Sequence, residues 1–129
     1  AWKVLLAEDD PVGRRVAIKR LERAGFKVDA VADGKLAWEK VQQDHYDLLL
    51  TDIRMPGLDG MQLTKIIRIF EAEKGIKPML IIGLSAYALE EVKHDALASG
   101  MDEFLSKPVN MSALMEQLEK CCDIETSGG

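Results

Sequence analysis

The feature that most constrains the fold is the alternation of short apolar runs with longer amphipathic stretches. Leu48-Leu49-Leu50 and the run from Met79 to Leu84 are apolar on both faces and bounded by turn formers, which indicates buried strands rather than helices. Strands of this kind occur in parallel sheets with helices on both sides. The sequence therefore predicts an α/β fold, a doubly wound parallel sheet with right-handed crossovers.

Five strand–helix pairs, a (βα)₅ pattern, can be placed along the chain. Asp10-Pro11 is typical of a helix start, Gly25 of a helix end and Asn110 of a cap for the last helix. The predicted strands cover residues 4–7, 27–32, 48–52, 79–84 and 103–106, and the second to fourth helices cover 35–43, 62–73 and 89–98. In the second helix Leu36, Ala37 and Val41 are expected to face inward.

The length of 129 residues fits a single domain. We expect residues 1–122 to form it and residues 123–129, which end in Ser127-Gly128-Gly129, to be a flexible tail. The chain lacks an initiator Met and ends in this linker-like segment. It is therefore expected to be a piece of a longer protein.

Charge and apolar content exclude some functions. A net charge of −5 argues against nucleic-acid or anionic-membrane binding by this domain. No apolar run approaches the roughly 20 residues that span a bilayer. Adjacent Cys121 and Cys122 suit neither a disulfide framework nor a zinc site. We therefore expect a cytoplasmic domain, which leaves open a membrane-anchored parent.

Polar side chains follow four of the predicted strands. They are Glu8, Asp9 and Asp10 after the first strand, Asp52 after the third, Ser85 after the fourth and Lys107 after the fifth. In a doubly wound sheet the binding site lies outside the carboxyl ends of the strands. Several carboxylates gathered there repel one another unless a cation neutralises them, and all-oxygen ligands suit Mg²⁺ or Mn²⁺.

A carboxylate beside such a metal can act as a nucleophile and form an aspartyl phosphate, and Asp52 is the candidate. A transferring phosphoryl group needs positive charge and hydrogen-bond donors, which Lys107 and Ser85 supply. Asp10, which precedes a proline, is instead expected to cap a helix, and Asp59-Gly60 to form a turn and cap.

These motifs resemble the four signatures of response-regulator receiver domains, in order and across nearly the whole chain. The matching segments are Ala7-Glu8-Asp9-Asp10, Leu50-Thr51-Asp52-Ile53-Arg54-Met55-Pro56-Gly57-Leu58-Asp59-Gly60, Leu84-Ser85-Ala86 and Lys107-Pro108. The resemblance implies a flavodoxin-like sheet of order 2-1-3-4-5. It also implies that Asp52 accepts phosphate from the phosphohistidine of a histidine kinase or a histidine phosphotransfer protein.

The resemblance also assigns the metal ligands. Asp9, Asp52, the backbone carbonyl of Arg54 and, often through water, Glu8 would hold Mg²⁺. Lys107 would bind the phosphoryl group and would precede a cis peptide bond to the following proline.

A conformational switch is implied as well. Ser85 would move to the phosphoryl oxygen on activation, and Phe104 stands at the position of the family's rotating aromatic, although an ordinary core role for Phe104 stays open. Their coupling would repack the face formed by the fourth helix, fifth strand and fifth helix. Ser85 is a departure from the commoner Thr and removes a methyl group that restricts rotamers, so switching is expected to be looser.

The positions that tune phosphoryl lifetime in the family hold Arg54 and Tyr87. Both side chains are bulky enough to crowd an attacking water. We expect autodephosphorylation over hours rather than seconds.

Two other functions fit these residues less well. A haloacid-dehalogenase-type phosphatase needs a second Asp two residues after its nucleophile, where this chain has Arg54. An interaction module that no longer takes phosphate would not need the complete acids and Lys107. His45 and His94 lack metal partners at useful spacing and are expected on the surface.

We therefore expect a phosphoacceptor switch rather than a turnover enzyme. A hybrid sensor histidine kinase is the favoured parent, with a response regulator that has lost its effector as the alternative. The sequence leaves open a monomer or an activation-linked dimer.

Overall fold

The structure is a computed structural model and describes residues 2–87 and 89–122. These residues are built around one β-sheet. Its strands are β1 (Lys3–Ala7), β2 (Lys27–Val31), β3 (Leu48–Asp52), β4 (Leu80–Ser85) and β5 (Glu103–Ser106). All neighbouring strands pair in parallel, in the order β2-β1-β3-β4-β5. This confirms the predicted flavodoxin-like sheet.

A helix follows each strand. The helices are α1 (Pro11–Arg23), α2 (Gly34–Gln43), α3 (Gly60–Lys74), α4 (Glu90–Ala98) and α5 (Met111–Cys122). The predicted bounds are correct to within two residues at each end. The largest difference is at α3, which begins at Gly60 rather than Gln62 because Asp59 and Gln62 form a reciprocal capping box.

Two apolar cores lie on the two faces of the sheet. One packs α1 and α5 against residues such as Val4 and Leu50, and the other packs α2, α3 and α4 against residues such as Leu5 and Leu49. All five residues of the central strand β3 are buried. The apolar runs of the sequence are therefore strands covered on both faces, as predicted.

The prediction for Leu36 was wrong, because its side chain is 42% exposed. Asp33 caps α2 by accepting a hydrogen bond from the Leu36 N–H, so the helix begins at Gly34. From that start, Gly34, Ala37 and Val41 form the buried stripe at spacings of three and four residues. Leu36 lies one position away from this stripe.

Two smaller predictions are confirmed, the one for Asn110 and the one for the two histidines. Asn110 accepts a hydrogen bond from the Ala113 N–H at 3.0 Å and so caps α5, and the side chains of His45 and His94 are exposed. The predicted tail, residues 123–129, lies outside the described residues. No helix among the described residues is long and apolar enough to cross a membrane.

Candidate functional site

The carboxyl ends of the central strands bring the predicted site residues together. Ala7 pairs with Thr51 across β1 and β3, so the residues that follow, Glu8 and Asp52, are neighbours. Asp52 in turn pairs with Leu84, the residue before Ser85. Parallel pairing therefore brings residues that are more than thirty positions apart in the sequence to one edge of the sheet.

Three carboxylates form the centre of this edge. Glu8, Asp9 and Asp52 each offer an oxygen, and these oxygens all lie within 4.8 Å of one another. Glu8 and Asp52 are buried, whereas Asp9 is exposed. The cluster thus has a buried floor and one side open to solvent.

Gly60 allows this floor to be built. A Cβ atom at Gly60 would stand 2.1 Å from the Asp52 backbone oxygen, which no side chain could tolerate. The amino end of α3 can therefore pack directly behind Asp52. The loop between them is fixed by the Gly60 N–H, which donates to the Ile53 carbonyl at 2.9 Å.

Lys107 contacts both buried acids. Its Nζ forms an ion pair with Asp52 Oδ1 and lies 3.0 Å from Glu8 Oε1. The loop that carries it has a cis Lys107–Pro108 bond, as the resemblance implied, and the Lys107 N–H donates to the Ser85 carbonyl at 2.8 Å. The ammonium is thereby placed over the nucleophile that the sequence predicted.

One oxygen of the cluster is left without a partner. Asp52 Oδ2 is buried and accepts no hydrogen bond from any described residue. An unpaired buried carboxylate oxygen is costly unless something occupies its lone pairs. Together with the all-oxygen donor set and the exposed Asp9, this atom fits a hard divalent cation such as Mg²⁺.

The electrostatics of the cluster agree with this fit. Burial raises the pKa of Asp52 to about 8, with Glu8 and Asp9 adding to the rise and Lys107 opposing it. Burial also acts to raise the pKa of Glu8, but hydrogen bonding to Asp52, the Asp10 N–H and Lys107 outweighs it, so that pKa is lowered. Without a cation, the surroundings therefore disfavour the ionised form of Asp52.

The loop after β1 orients Glu8. Its side chain accepts a hydrogen bond from the Asp10 N–H at 3.1 Å, and its carbonyl accepts one from Arg14 Nη1 at 2.9 Å. Asp10 itself accepts from the Gly13 N–H at 2.8 Å and caps α1. The prediction that Asp10 is a helix cap is confirmed.

Ser85 and Tyr87 are bonded to each other rather than to the acids. The Ser85 hydroxyl donates to the Tyr87 carbonyl at 2.9 Å and accepts from the Tyr87 N–H at 3.1 Å. The Tyr87 side chain is 70% exposed, and Arg54 is exposed in the loop after Asp52. Phe104 is buried in the core on the α4 side of the sheet.

Sequence reasoning missed a groove beside the acids. It measures about 300 Å³, and its lining includes Glu8, Val12, Val16, Leu84 and Lys107. Val12 is 68% exposed and Val16 39%, although both are apolar. A signal was available, because these valines stand one position before Gly13 and Ala17 and so lie off the stripe of Ala17 and Leu21 that α1 buries.

Comparisons with known proteins agree on one family. The family model described as response regulator receiver domain matches residues 4–119. The response regulator receiver protein CpdR of Brucella abortus is 40% identical over 118 residues, which cover 92% of this chain and 94% of CpdR. Hybrid signal transduction histidine kinase M of Dictyostelium discoideum is also 40% identical, over 91% of this chain but 5% of the kinase. The chain spans 5% to 15% of the kinases among its first matches.

Solved structures give the same result. The receiver domain of sensor histidine kinase PA1611 from Pseudomonas aeruginosa PAO1, with a magnesium ion coordinated in its active-site cleft, is 35% identical with a TM-score of 0.80, covering 93% of this chain and 96% of that one. The receiver domain of Ssk1 from Saccharomyces cerevisiae, solved with the histidine phosphotransfer protein Ypd1, is 27% identical with a TM-score of 0.85, covering 92% and 87%.

Proposed function

This chain belongs to the response regulator receiver domain family of two-component signalling, and from that premise we propose that Asp52 is its phosphoacceptor. One observation carries the proposal. Asp52 is buried at the carboxyl edge of the sheet with Lys107 on one oxygen, while its other oxygen has no partner among the described residues.

In the proposed reaction a carboxylate oxygen of Asp52 attacks the phosphorus of a phosphohistidine. The new O–P bond forms as the P–N bond breaks, and the histidine nitrogen leaves with the bonding electron pair and takes up a proton. Lys107, already at Asp52, stabilises the negative charge on the phosphoryl oxygens. Its contact with Glu8 at 3.0 Å keeps it in place before the donor arrives.

Glu8, Asp9, Asp52 and the Arg54 carbonyl would hold Mg²⁺, or Mn²⁺ in its place. The ion would supply positive charge to the phosphoryl oxygens and neutralise the three carboxylates. Support comes from the unpartnered Asp52 oxygen, the cluster of donors within 4.8 Å and the magnesium ion in the PA1611 receiver domain.

Ser85 and Phe104 are proposed as the switch. To reach a phosphoryl oxygen, the Ser85 hydroxyl must break its two hydrogen bonds to Tyr87. These bonds lie in an exposed loop, so breaking them costs little free energy. Phe104 lies in the α4–β5–α5 face and packs in the core beneath α4. Repacking at Phe104 would transmit the change to that face.

Arg54 and Tyr87 are proposed to prolong the phosphorylated state. Both are exposed residues in the loops that follow β3 and β4, where they can hinder an attacking water. Replacing both with Ala should shorten the half-life of the aspartyl phosphate. A half-life of seconds in the unmodified chain, with Mg²⁺ and no phosphatase, would contradict this role.

The phosphodonor is proposed to dock on α1. The exposed Val12 and Val16 line the groove that leads to Lys107 and Glu8, so a protein that presents a phosphohistidine to Asp52 would cover them. The co-crystal structure of Ypd1 with the Ssk1 receiver domain supports a phosphotransfer protein as this partner, with a histidine kinase as the alternative.

The parent is proposed to be a hybrid sensor histidine kinase, with this domain in the cytoplasm. Four of the first matches are named hybrid kinases, of which the chain covers a small part. A free-standing response regulator is the alternative, since CpdR is covered almost entirely.

Acetyl phosphate labelling tests the central proposal. The chain should become phosphorylated with acetyl phosphate and Mg²⁺, as measured by intact mass, and Asp52→Asn should abolish the label. Asp95→Asn changes an exposed aspartate and should label normally. An unlabelled chain, or label that persists in Asp52→Asn, would overturn the proposal, and steady turnover of p-nitrophenyl phosphate would favour a phosphatase instead.

A further inference from the structure

Helix α1 has a charge opposite to that of the rest of the chain. It contains five basic residues, Arg14, Arg15, Lys19, Arg20 and Arg23, and a single acidic one, Glu22. The whole chain has a net charge of −5, so the remainder is still more acidic. This positive charge therefore belongs to one helix rather than to the surface in general.

Two of these basic residues have structural partners. Arg14 Nη1 donates to the Glu8 carbonyl at 2.9 Å, and Arg20 Nη1 donates to the Val109 carbonyl at 2.7 Å. Both bonds brace loops that flank the acids. Their positive charges are therefore explained by the architecture of the site.

The other three, Arg15, Lys19 and Arg23, form what we call the basic stripe. All are exposed, and no described residue gives any of them a side-chain hydrogen bond or an ion pair. At spacings of four residues they follow one side of α1 over about 12 Å. Arg23 lies in the last turn, where a positive charge favours the helix dipole. Arg15 and Lys19 have no such role, and like charges at this spacing destabilise a helix slightly.

We propose that the basic stripe selects the phosphodonor, a protein with acidic side chains on the surface that covers α1, away from its phosphohistidine. The inference rests on the proposed docking at α1. The stripe continues along the helix from Val12 and Val16, which line the groove beside Lys107, so a donor that reaches Asp52 extends over it. Charges at the rim of an interface mainly set association rate and partner choice.

An acidic protein fits this surface better than an anionic membrane does. A membrane would meet the acidic remainder of the domain as well as the stripe, and the net charge of −5 would oppose binding. A protein partner, unlike a membrane, can be small enough to contact only the side of the domain that α1 forms.

The test uses Ypd1 as the donor in two versions, in which exposed side chains of the surface that meets α1, but not those next to its phosphorylated histidine, are changed to Glu or to Lys. Phosphotransfer to this chain should be at least about tenfold faster from the acidic version at low salt. The triple variant R15E/K19E/R23E should reverse that preference, and R15Q/K19Q/R23Q should remove it. The matched control K65E/K74E/K77E reverses three exposed lysines on α3 and the segment after it and should keep the preference.

Labelling by acetyl phosphate, which needs no docking surface, separates two kinds of failure. If acetyl phosphate labels neither the unmodified chain nor any of its variants, the proposed function is wrong. If acetyl phosphate labels the chain while the two donors transfer equally, or the acidic donor does not transfer, the stripe inference is overturned. Stripe-dependent binding to vesicles of phosphatidylcholine and phosphatidylserine, with equal transfer from both donors, would overturn it in favour of a membrane.

Discussion

Two charged clusters lie at opposite edges of the same sheet, and their hydrogen bonding differs. At the carboxyl edge there are too few hydrogen-bond donors for the carboxylates of Glu8 and Asp52, which share the ammonium of Lys107. One Asp52 oxygen therefore has no partner among the described residues. At the amino edge, Arg68 and Glu71 form an ion pair of which Glu71 is almost wholly buried. Here the donors and acceptors match.

Arg68 is the centre of the amino-edge cluster. Its guanidinium donates to Glu71 Oε1 at 2.8 Å and to Asp102 Oδ2, the Gly100 carbonyl and the Met79 carbonyl, each at 2.9 Å. One residue of α3 thus holds the segment before β4 and the connection between α4 and β5.

The acids of this cluster are satisfied by the backbone as well. Glu71 Oε2 accepts from the Met79 N–H at 2.7 Å, and Asp102 Oδ2 accepts from the Ile81 N–H at 2.8 Å. A buried ion pair of this kind is expensive to break. The amino-edge cluster is therefore satisfied within the fold, whereas the carboxyl-edge cluster keeps an unpaired oxygen, as the proposed cation site requires.

The largest effect is expected from Arg68→Met. It would leave Glu71 buried without its cation, and the free energy of unfolding should fall by about 3–5 kcal/mol, measured by urea denaturation. Lys65→Met, at an exposed position of the same helix, should change it by less than about 0.5 kcal/mol. If the two variants have equal stability, the amino-edge cluster does not have the role assigned to it.

The opposite sign is expected from Asp52→Asn. This change removes a buried carboxylate whose pKa is raised, while Glu8 continues to pair with Lys107. At pH 8 without Mg²⁺ the free energy of unfolding should rise by about 1–2 kcal/mol. A less stable Asp52→Asn protein under those conditions would contradict the contrast between the two clusters.

Stability without Mg²⁺ should fall as pH rises. The pKa of Asp52 is about 8 in the folded chain, compared with about 4 in the unfolded one. Between those values the folded state binds more protons, so unfolding becomes easier with rising pH, by at most about 1.4 kcal/mol per pH unit. Below pH 4 the lowered pKa of Glu8 acts in the other direction, and stability is lost as pH falls.

Urea denaturation from pH 5 to 8 would measure this slope. Asp52→Asn should flatten it, and Mg²⁺ should reduce it because the ion replaces the proton. A Mg²⁺-free slope that is unchanged in Asp52→Asn would show that other groups titrate.

The two edges also differ in how well the sequence predicted them. The carboxyl edge was predictable because parallel strands end together, so Glu8, Asp52, Ser85 and Lys107 could be grouped from their positions after strands. The contact of Lys107 with both acids depends on rotamers and was not predicted.

The amino-edge cluster left no pattern in the sequence. Arg68 and Asp102 are 34 residues apart, and two of the bonds of Arg68 go to backbone carbonyls, which exist at every position. The wrong prediction for Leu36 has a related cause. The side of a helix that is buried depends on the residue at which the cap starts the helix. Local pattern therefore predicts elements and strand ends better than it predicts long-range polar networks.

The smallest effect on stability is expected at Ser85, which we propose acts in the switch rather than in stabilising the fold. Ser85→Ala removes two hydrogen bonds to Tyr87 in an exposed loop, so the free energy of unfolding should change by about 0.5 kcal/mol or less. Labelling of Asp52 by acetyl phosphate should persist, since Lys107 and the acids remain. The α4–β5–α5 face should no longer respond to beryllofluoride and Mg²⁺, as followed by amide NMR shifts. Ser85→Thr keeps the hydroxyl and should retain the response; if Ser85→Ala responds as fully, Ser85 does not couple the phosphorylation site to that face.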